Sequence, residues 1–250
     1  MTVRLNEFGQ PIGAVVADWQ GAQLPDAPFL SGRYCRLERV DVERHAADLY
    51  EAYQDASDAA DWTYLPVGPF TTFASYRTWL TAAAALTDPR HYAVIDQASG
   101  KAVGTLALMR IDAPNGVIEV GHVTYSRRLK RSRIATEALS LLMTYVFEDL
   151  GYRRFEWKCD SLNAPSRAAA LRYGFKFEGL FRQVIVTRQG GNRDTTWFSI
   201  IDGEYPALKA AYRRWLDESN FDGEGRQITR LTDFIGQEDP GRRSDNPYSL

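Results

Sequence analysis

A single carboxylate, Glu119, stands in the apolar strand-like run VIEVGHVTY (117–125), and that run empties into the basic segment SRRLKRSRIATEA (126–138). Five of the seven residues from Arg127 to Arg133 are Lys or Arg. A strand that ends in cationic side chains and backbone amides at a helix start can hold a polyphosphate, because unpaired amides point outward and the helix dipole adds partial positive charge there. The helix itself is marked by Ile134, Ala138, Leu141, Leu142, Tyr145 and Val146 at three- and four-residue steps, and Gly151 stops it. A second constellation lies in DSLNAPSRAAALRYGFKFEG (160–179). There Asn163 can cap a helix whose first turn takes Pro165, with Ser166 close behind.

Other chemistries are less well provided for. Cys35 and Cys159 are too few for a disulfide framework and have no metal-ligand spacing, so both read as buried thiols. His45, His91 and His122 are scattered, which argues against a zinc site, and no metal is expected. The formal charge of −2 removes any general attraction to nucleic acid or an anionic membrane, so the basic run needs a local explanation. No apolar run reaches the roughly 20 residues that span a bilayer, and MTVRLNEFGQ has no signal-peptide core. A cytoplasmic chain is expected.

The elements that must position these residues read as one mixed domain. A strand at 34–37 and a helix at 42–55 are followed by the aromatic, turn-rich loop DWTYLPVGPF (61–70) and a helix from Phe73 to about Leu86. Strands at 91–96, 102–109 and 117–125 come next, joined by turn signals at Ser99-Gly100 and Pro114-Asn115-Gly116. After the long helix, Phe155, Trp157 and Cys159 alternate with Glu156, Lys158 and Asp160, the pattern of a half-buried strand. A helix at 165–173, strands at 175–187 and 194–201, and an amphipathic helix carrying Tyr205, Leu208, Tyr212 and Trp215 complete the order. The expected divisions are an N-terminal extension (1–32), a catalytic-type domain (33–218, its last helix at 204–218) and a polar C-terminal tail (219–250).

This order, with the Glu119 strand, the Lys130–Thr136 segment and the Asn-x-x-Ser helix followed by Gly-Phe, resembles the GNAT superfamily of acyl-CoA-dependent N-acetyltransferases over residues 33–201. Within it the chain is most similar to the RimJ/RimL-type branch, whose members acetylate protein N-termini or small amines. The resemblance implies an α/β (α+β) fold with a mixed, largely antiparallel sheet, splayed between the Glu119 and Phe155 strands and covered by helices on both faces. It implies acetyl-CoA as co-substrate and an amine acceptor, either a small molecule or a peptide N-terminus. A homodimer could form, and a non-catalytic acyl-CoA sensor is the alternative class. The family's phosphate motif, Gln/Arg-x-x-Gly-x-Gly/Ala, reads here Lys130-Arg131-Ser132-Arg133-Ile134-Ala135, with Arg133 where Gly is usual.

By that resemblance Lys130, Arg131, Ser132, Arg133, Ile134, Ala135 and Thr136 hold the pyrophosphate. An alkyl amine has a pKa of about 10, so a base must take its proton at neutral pH. Glu119, eleven residues before Lys130, is that candidate. Gly121 would permit a bulge that turns the Val123 N–H to the acyl carbonyl, with Tyr125 continuing along the pantetheine arm. Asn163 is assigned to the pantetheine amides and Ser166 to the sulfur. The Tyr that many relatives carry seven residues after the helix Asn is Ala170 here, and Tyr173 reads as a packing residue. Trp62, Tyr64 and Phe181 are the acceptor-side candidates. Asp61 could attract a cationic amine. His122 is expected opposite Glu119 unless the bulge shifts it.

Overall fold

The computed structural model describes residues 3–54 and 59–239. In chain order the elements are β1 (Arg4–Leu5), β2 (Pro11–Ile12), β3 (Phe29–Ser31), β4 (Cys35–Arg39), α1 (Val42–Gln54), α2 (Phe73–Ala84), β5 (Arg90–Asp96), β6 (Ala102–Asp112), β7 (Val117–Tyr125), α3 (Arg133–Thr144), β8 (Arg154–Asp160), α4 (Ala164–Arg172), β9 (Lys176–Val186), β10 (Asn192–Ile201), α5 (Tyr205–Trp215) and α6 (Leu231–Glu238). A π-helical turn, Tyr145–Asp149, extends α3. β1 and β2 form a separate hairpin, and the other eight strands make one sheet in the order β3-β4-β5-β6-β7-β8-β10-β9.

Every pairing in that sheet is antiparallel except β7 with β8. This parallel pair is in register only from Val117–Arg154 to Val120–Trp157, whereas β7 runs on to Tyr125 and β8 to Asp160. The two strands therefore part after Val120, giving the splayed sheet that the resemblance implies. One face is covered by α3, α4 and α5 through Leu106, Leu108, Leu142, Phe155, Tyr173 and Tyr212, and the other, over β4–β6, by α1 and α2 through Leu49, Tyr76 and Leu80. No helix among the described residues is long and apolar enough to cross a membrane.

Three expectations are corrected. β8 is buried on both faces rather than half-buried: Glu156 and Asp160 are buried along with Phe155 and Cys159. Its charged face is tolerable because Lys158 and Arg154 neutralise it within the sheet. The segment expected as a polar tail is part of the packed domain as far as Glu238, since α6 packs on α5 and buries Leu231 and Ile235; residues beyond 239 lie outside the described residues. Part of the N-terminal extension joins the domain as well. Trp19 donates to the Pro114 carbonyl, Asp26 and Ala27 amides donate to Tyr145 Oη, and β3 adds a strand to the sheet.

One buried contact orients α3. The Glu137 carboxylate accepts from the amides of Arg33, Tyr34 and Cys35 at 2.8, 2.7 and 2.7 Å. It thereby ties the second turn of α3 to the β3–β4 turn, where Gly32 leaves the carboxylate room that a Cβ would fill.

Candidate active site

Cross-strand partners point to the same face of a sheet, so the register assigns one face to Glu119, Met109, Gly121, Ala107 and His91 on β5–β7, and to Glu156, Lys158 and Trp197 on β8 and β10. This is the face that α1 and α2 cover only over β4–β6. Ser166 lies on the other face: its Oγ accepts from Trp157 Nε1 at 3.0 Å, and Trp157 alternates with Lys158 along β8. Glu119 and Ser166 thus approach the parting of β7 and β8 from opposite sides.

A bulge sits where the strands separate. Thr124 pairs with Thr105 and Gly121 with Ala107, so β7 carries one residue more than β6 between them. The residue that adopts the left-handed conformation is His122, at φ 49°, rather than Gly121. Gly121 serves in another way, because a Cβ there would lie 2.3 Å from Met109 Sδ. The bulge turns His122 onto the Glu119 face, its ring 5.2 Å from that of His91. Burial lowers the pKa of both rings, His91 to about 4, so both are neutral at pH 7.

Glu119 is 4 % exposed. Lys158 Nζ lies 3.0 Å from its Oε2, off the axis of a hydrogen bond, and Arg110 Nε lies 3.4 Å from the same oxygen. Arg110 is aimed there by a second bulge, at φ 49° in β6, whose amides at Arg110 and Ile111 donate to Asp88. Burial raises the Glu119 pKa, and Lys158 and Arg110 pull it part of the way back. A carboxyl poised above its usual range and still able to ionise is suited to taking a proton.

The loop that follows is the candidate anion site. Leu129 and Lys130 amides donate to the Ser126 carbonyl, and the Ser132 amide to that of Leu129, which closes the turn. Ser132 caps α3, its Oγ accepting from the Ala135 amide at 3.1 Å. Arg133 and Ile134, at the first two helical positions, have amides with no intrahelical acceptor. The side chain of Arg133 turns elsewhere: its guanidinium is stacked between the rings of Tyr34 and Phe221, at 5.0 and 4.3 Å from their centroids. Arg131, at φ 61°, is exposed. Lys130 pairs with Asp61 at 2.6 Å, and the Thr136 hydroxyl accepts from Arg172.

A pocket along the bulged end of β7 is lined by Tyr53, Asp61, Trp62, Val123, Tyr125, Ser126 and Lys130. It brings five expected residues, Asp61, Trp62, Val123, Tyr125 and Lys130, together. Trp62 is also packed edge-on against Tyr53 and Phe70, and Gly68 is required beside it because a Cβ would enter the indole at 2.2 Å. Tyr64 Oη donates to the Leu162 carbonyl, next to Asn163, so the 61–70 loop bridges to the start of α4. Asn163 caps α4 through Oδ1, which accepts from the Ser166 amide. Phe181 stacks on Trp197 at 4.4 Å, beside a wider hollow bounded by Leu180, Arg182 and Gln183 on the edge strand β9. The second hollow is walled by one strand alone, which makes it a weaker candidate than the β7 pocket for enclosing a reacting group. Tyr173 is packed against Trp157 in the core. Burial raises the pKa of both Cys35 and Cys159, which keeps them as thiols.

Lys158 belongs to no motif in the sequence, yet it lies against the Glu119 carboxylate. Its position on the charged side of an alternating strand reads as solvent-facing; its neighbours Glu119 and Glu156 are the signal, since paired parallel strands would set the two carboxylates side by side.

The comparisons agree with this geometry. The family model described as an acetyltransferase (GNAT) domain matches residues 36–176. A GCN5-related N-acetyltransferase from Brucella melitensis is 47% identical, with a TM-score of 0.85 over 88% of this chain and 99% of that one. The uncharacterized N-acetyltransferase p20 of Bacillus licheniformis is 28% identical over 173 residues, 68% of this chain and 95% of the relative. A putative ribosomal N-acetyltransferase of Bacillus subtilis, YdaF, is 29% identical over 110 residues, 44% of this chain and 59% of its own length. With its splayed sheet, its β7 bulge and the basic loop that Ser132 caps into α3, the chain belongs to the GNAT family of acetyltransferases.

Proposed function

We propose that the protein moves the acetyl group of acetyl-CoA directly to a primary amine, a protein N-terminus or a small-molecule amine, within a ternary complex. The observation that carries this reading is a coincidence of place: the parting of β7 from β8, the His122 bulge and the buried Glu119 carboxylate occur within a few residues of one strand. Unpaired helix amides lie beyond its end. The backbone amides of Arg133 and Ile134, with Lys130, Arg131 and Ser132, hold the pyrophosphate, and the turn of α3 formed by Ala135 and Thr136 supports them. Arg133 contributes its N–H, its guanidinium being engaged by Tyr34 and Phe221.

Glu119 removes the proton as the amine nitrogen attacks the thioester carbonyl. The bulge takes Val123 out of register with β6, and its N–H is the donor for the developing oxyanion, with Tyr125 following along the arm. The carbon–sulfur bond then breaks. Ser166, whose Oγ accepts from Trp157 and whose hydroxyl also neighbours Cys159, is the donor assigned to the departing sulfur. Asn163 keeps its Nδ2 for a pantetheine carbonyl while Oδ1 caps α4. Trp62, Tyr64 and Phe181 border the acceptor.

Charge narrows the acceptor. Glu119 already has Lys158 and Arg110 beside it, Asp61 is paired with Lys130, and Glu156 is shared by Lys158 and Arg154. These carboxylates have no surplus negative charge for a second ammonium group, which favours a monoamine such as a peptide N-terminus over a polyamine or an aminoglycoside. The RimJ/RimL-type branch and the name of the YdaF relative support the same choice.

A CoA-release assay over peptides with free N-termini, amino acids, polyamines and aminoglycosides tests the reading. Turnover with at least one monoamine, exceeding that with polycations, is the expected result. Stabilisation by acetyl-CoA with no turnover on any amine would instead make the protein a sensor.

A further inference from the structure

The buried charges of β8 are arranged about one ammonium group. Glu119 and Glu156 are directly opposed residues of the parallel β7–β8 pair, and Lys158 reaches both: Nζ is 3.0 Å from Glu119 Oε2 and 2.6 Å from Glu156 Oε2. All three side chains are 6–7 % exposed. The ammonium is also seated 3.8 Å from the centroid of Trp197 on β10, which is in turn stacked on Phe181. Glu156 has a second cation, Arg154, whose Nε is 2.7 Å away and which also pairs with Glu178 on β9. Among the described residues, Glu119 has only Arg110 besides Lys158, at 3.4 Å and half-exposed.

The two oxygens of Glu119 are set apart by this arrangement. Oε2 faces the cations of β6 and β8, while Oε1 lies on the Gly121 side, 3.6 Å from where a Cβ of that residue would be. The Gly121 side is where the strands part.

We propose that Lys158 is a positioning residue for Glu119, a buried cation clamped between two carboxylates and an indole that holds the Glu119 carboxylate ionised and presents its Oε1 to the amine. The inference rests on the reading of Glu119 as the base. Without Lys158, Glu119 keeps the same desolvating walls, the repulsion of Glu156 and only the half-exposed Arg110 to offset them. Its protonated form then gains population at neutral pH. Lys158 itself touches no reacting atom in this account, and its ammonium stays bound to the two carboxylates throughout.

The test is a carbon-13 NMR titration of the Glu119 carboxyl in the free protein, assigned by the signal lost in Glu119→Gln. Lys158→Met should raise the Glu119 midpoint by on the order of one pH unit. The acid limb of kcat/KM should move up with it, with activity near pH 7 reduced about five- to tenfold and largely restored at higher pH. Lys158→Arg should restore both. Glu156→Gln should move the midpoint the opposite way, and Lys158→Gln, expected to raise it as Lys158→Met does, decides the matter should the Lys158→Met protein fail to fold. An unmoved Glu119 midpoint in folded Lys158→Met or Lys158→Gln overturns the proposal. Midpoints that move as expected while Glu119→Gln remains fully active would leave the clamp intact and remove the base.

Discussion

Glu119→Gln is expected to lower turnover of an amine substrate by roughly 100-fold or more at neutral pH, the scale of losing a general base. The substitution keeps shape and burial, so affinity for acetyl-CoA should barely change. Burial raises the Glu119 pKa and its cationic neighbours oppose that rise, and the residue works as a base only when ionised. In the parent protein kcat/KM should therefore fall as pH drops through that raised pKa. The mutant's deficit should shrink as pH approaches the acceptor's own pKa, about 8 for a peptide N-terminus and about 10 for an alkyl amine, because solvent then supplies the neutral nucleophile. A pH–rate profile of both proteins on one acceptor measures this. A loss of equal size at every pH would make Glu119 an electrostatic or positional group, and unchanged activity would remove it from the mechanism.

The second large effect is on stability. Glu137→Ala leaves the amides of Arg33, Tyr34 and Cys35 facing a space that their acceptor occupied, within a buried joint between α3 and the β3–β4 turn. Unsatisfied buried donors cost about 1–3 kcal/mol each, and partial access of water should hold the total to on the order of 3 kcal/mol. For a chain of this length that corresponds to a fall in Tm of about 6–12 °C. Thermal unfolding of the two proteins followed by circular dichroism measures it. A Tm unchanged within error would show that water replaces the carboxylate without cost and that the joint does not orient α3.

Much of this architecture is legible in residue order because local rules and tertiary packing agree. The β7 run, the basic loop and the periodic α3 form where alternation, charge and capping place them, and Asn163 and Pro165 start α4 as their chemistry suggests. The bulge is foreshadowed by Gly121, yet the left-handed residue is His122, since the conformation is chosen by register with β6 rather than by the most permissive residue nearby. Arg133 looks like a phosphate ligand from its place in the motif. Its side chain is claimed by Tyr34 and Phe221, which lie about 90 to 100 residues away in sequence and carry no local signal. Lys158 and Glu156 look solvated for the same reason: alternation distinguishes two faces but not whether ion pairs allow both to be buried. The C-terminal α6 escapes notice because its apolar residues, Leu231, Phe234 and Ile235, are few and its flanks polar.

Direct transfer makes a demand that no sensor or covalent mechanism meets. With acetyl-CoA carrying a radiolabelled acetyl group, a single turnover on an amine acceptor should place the label in the amide product in step with CoA release, with none covalently attached to the denatured protein at any time or when the acceptor is omitted. Label that accumulates on the protein before the amide forms, at Cys159 or any other side chain, would contradict the account, as would CoA release without labelled amide.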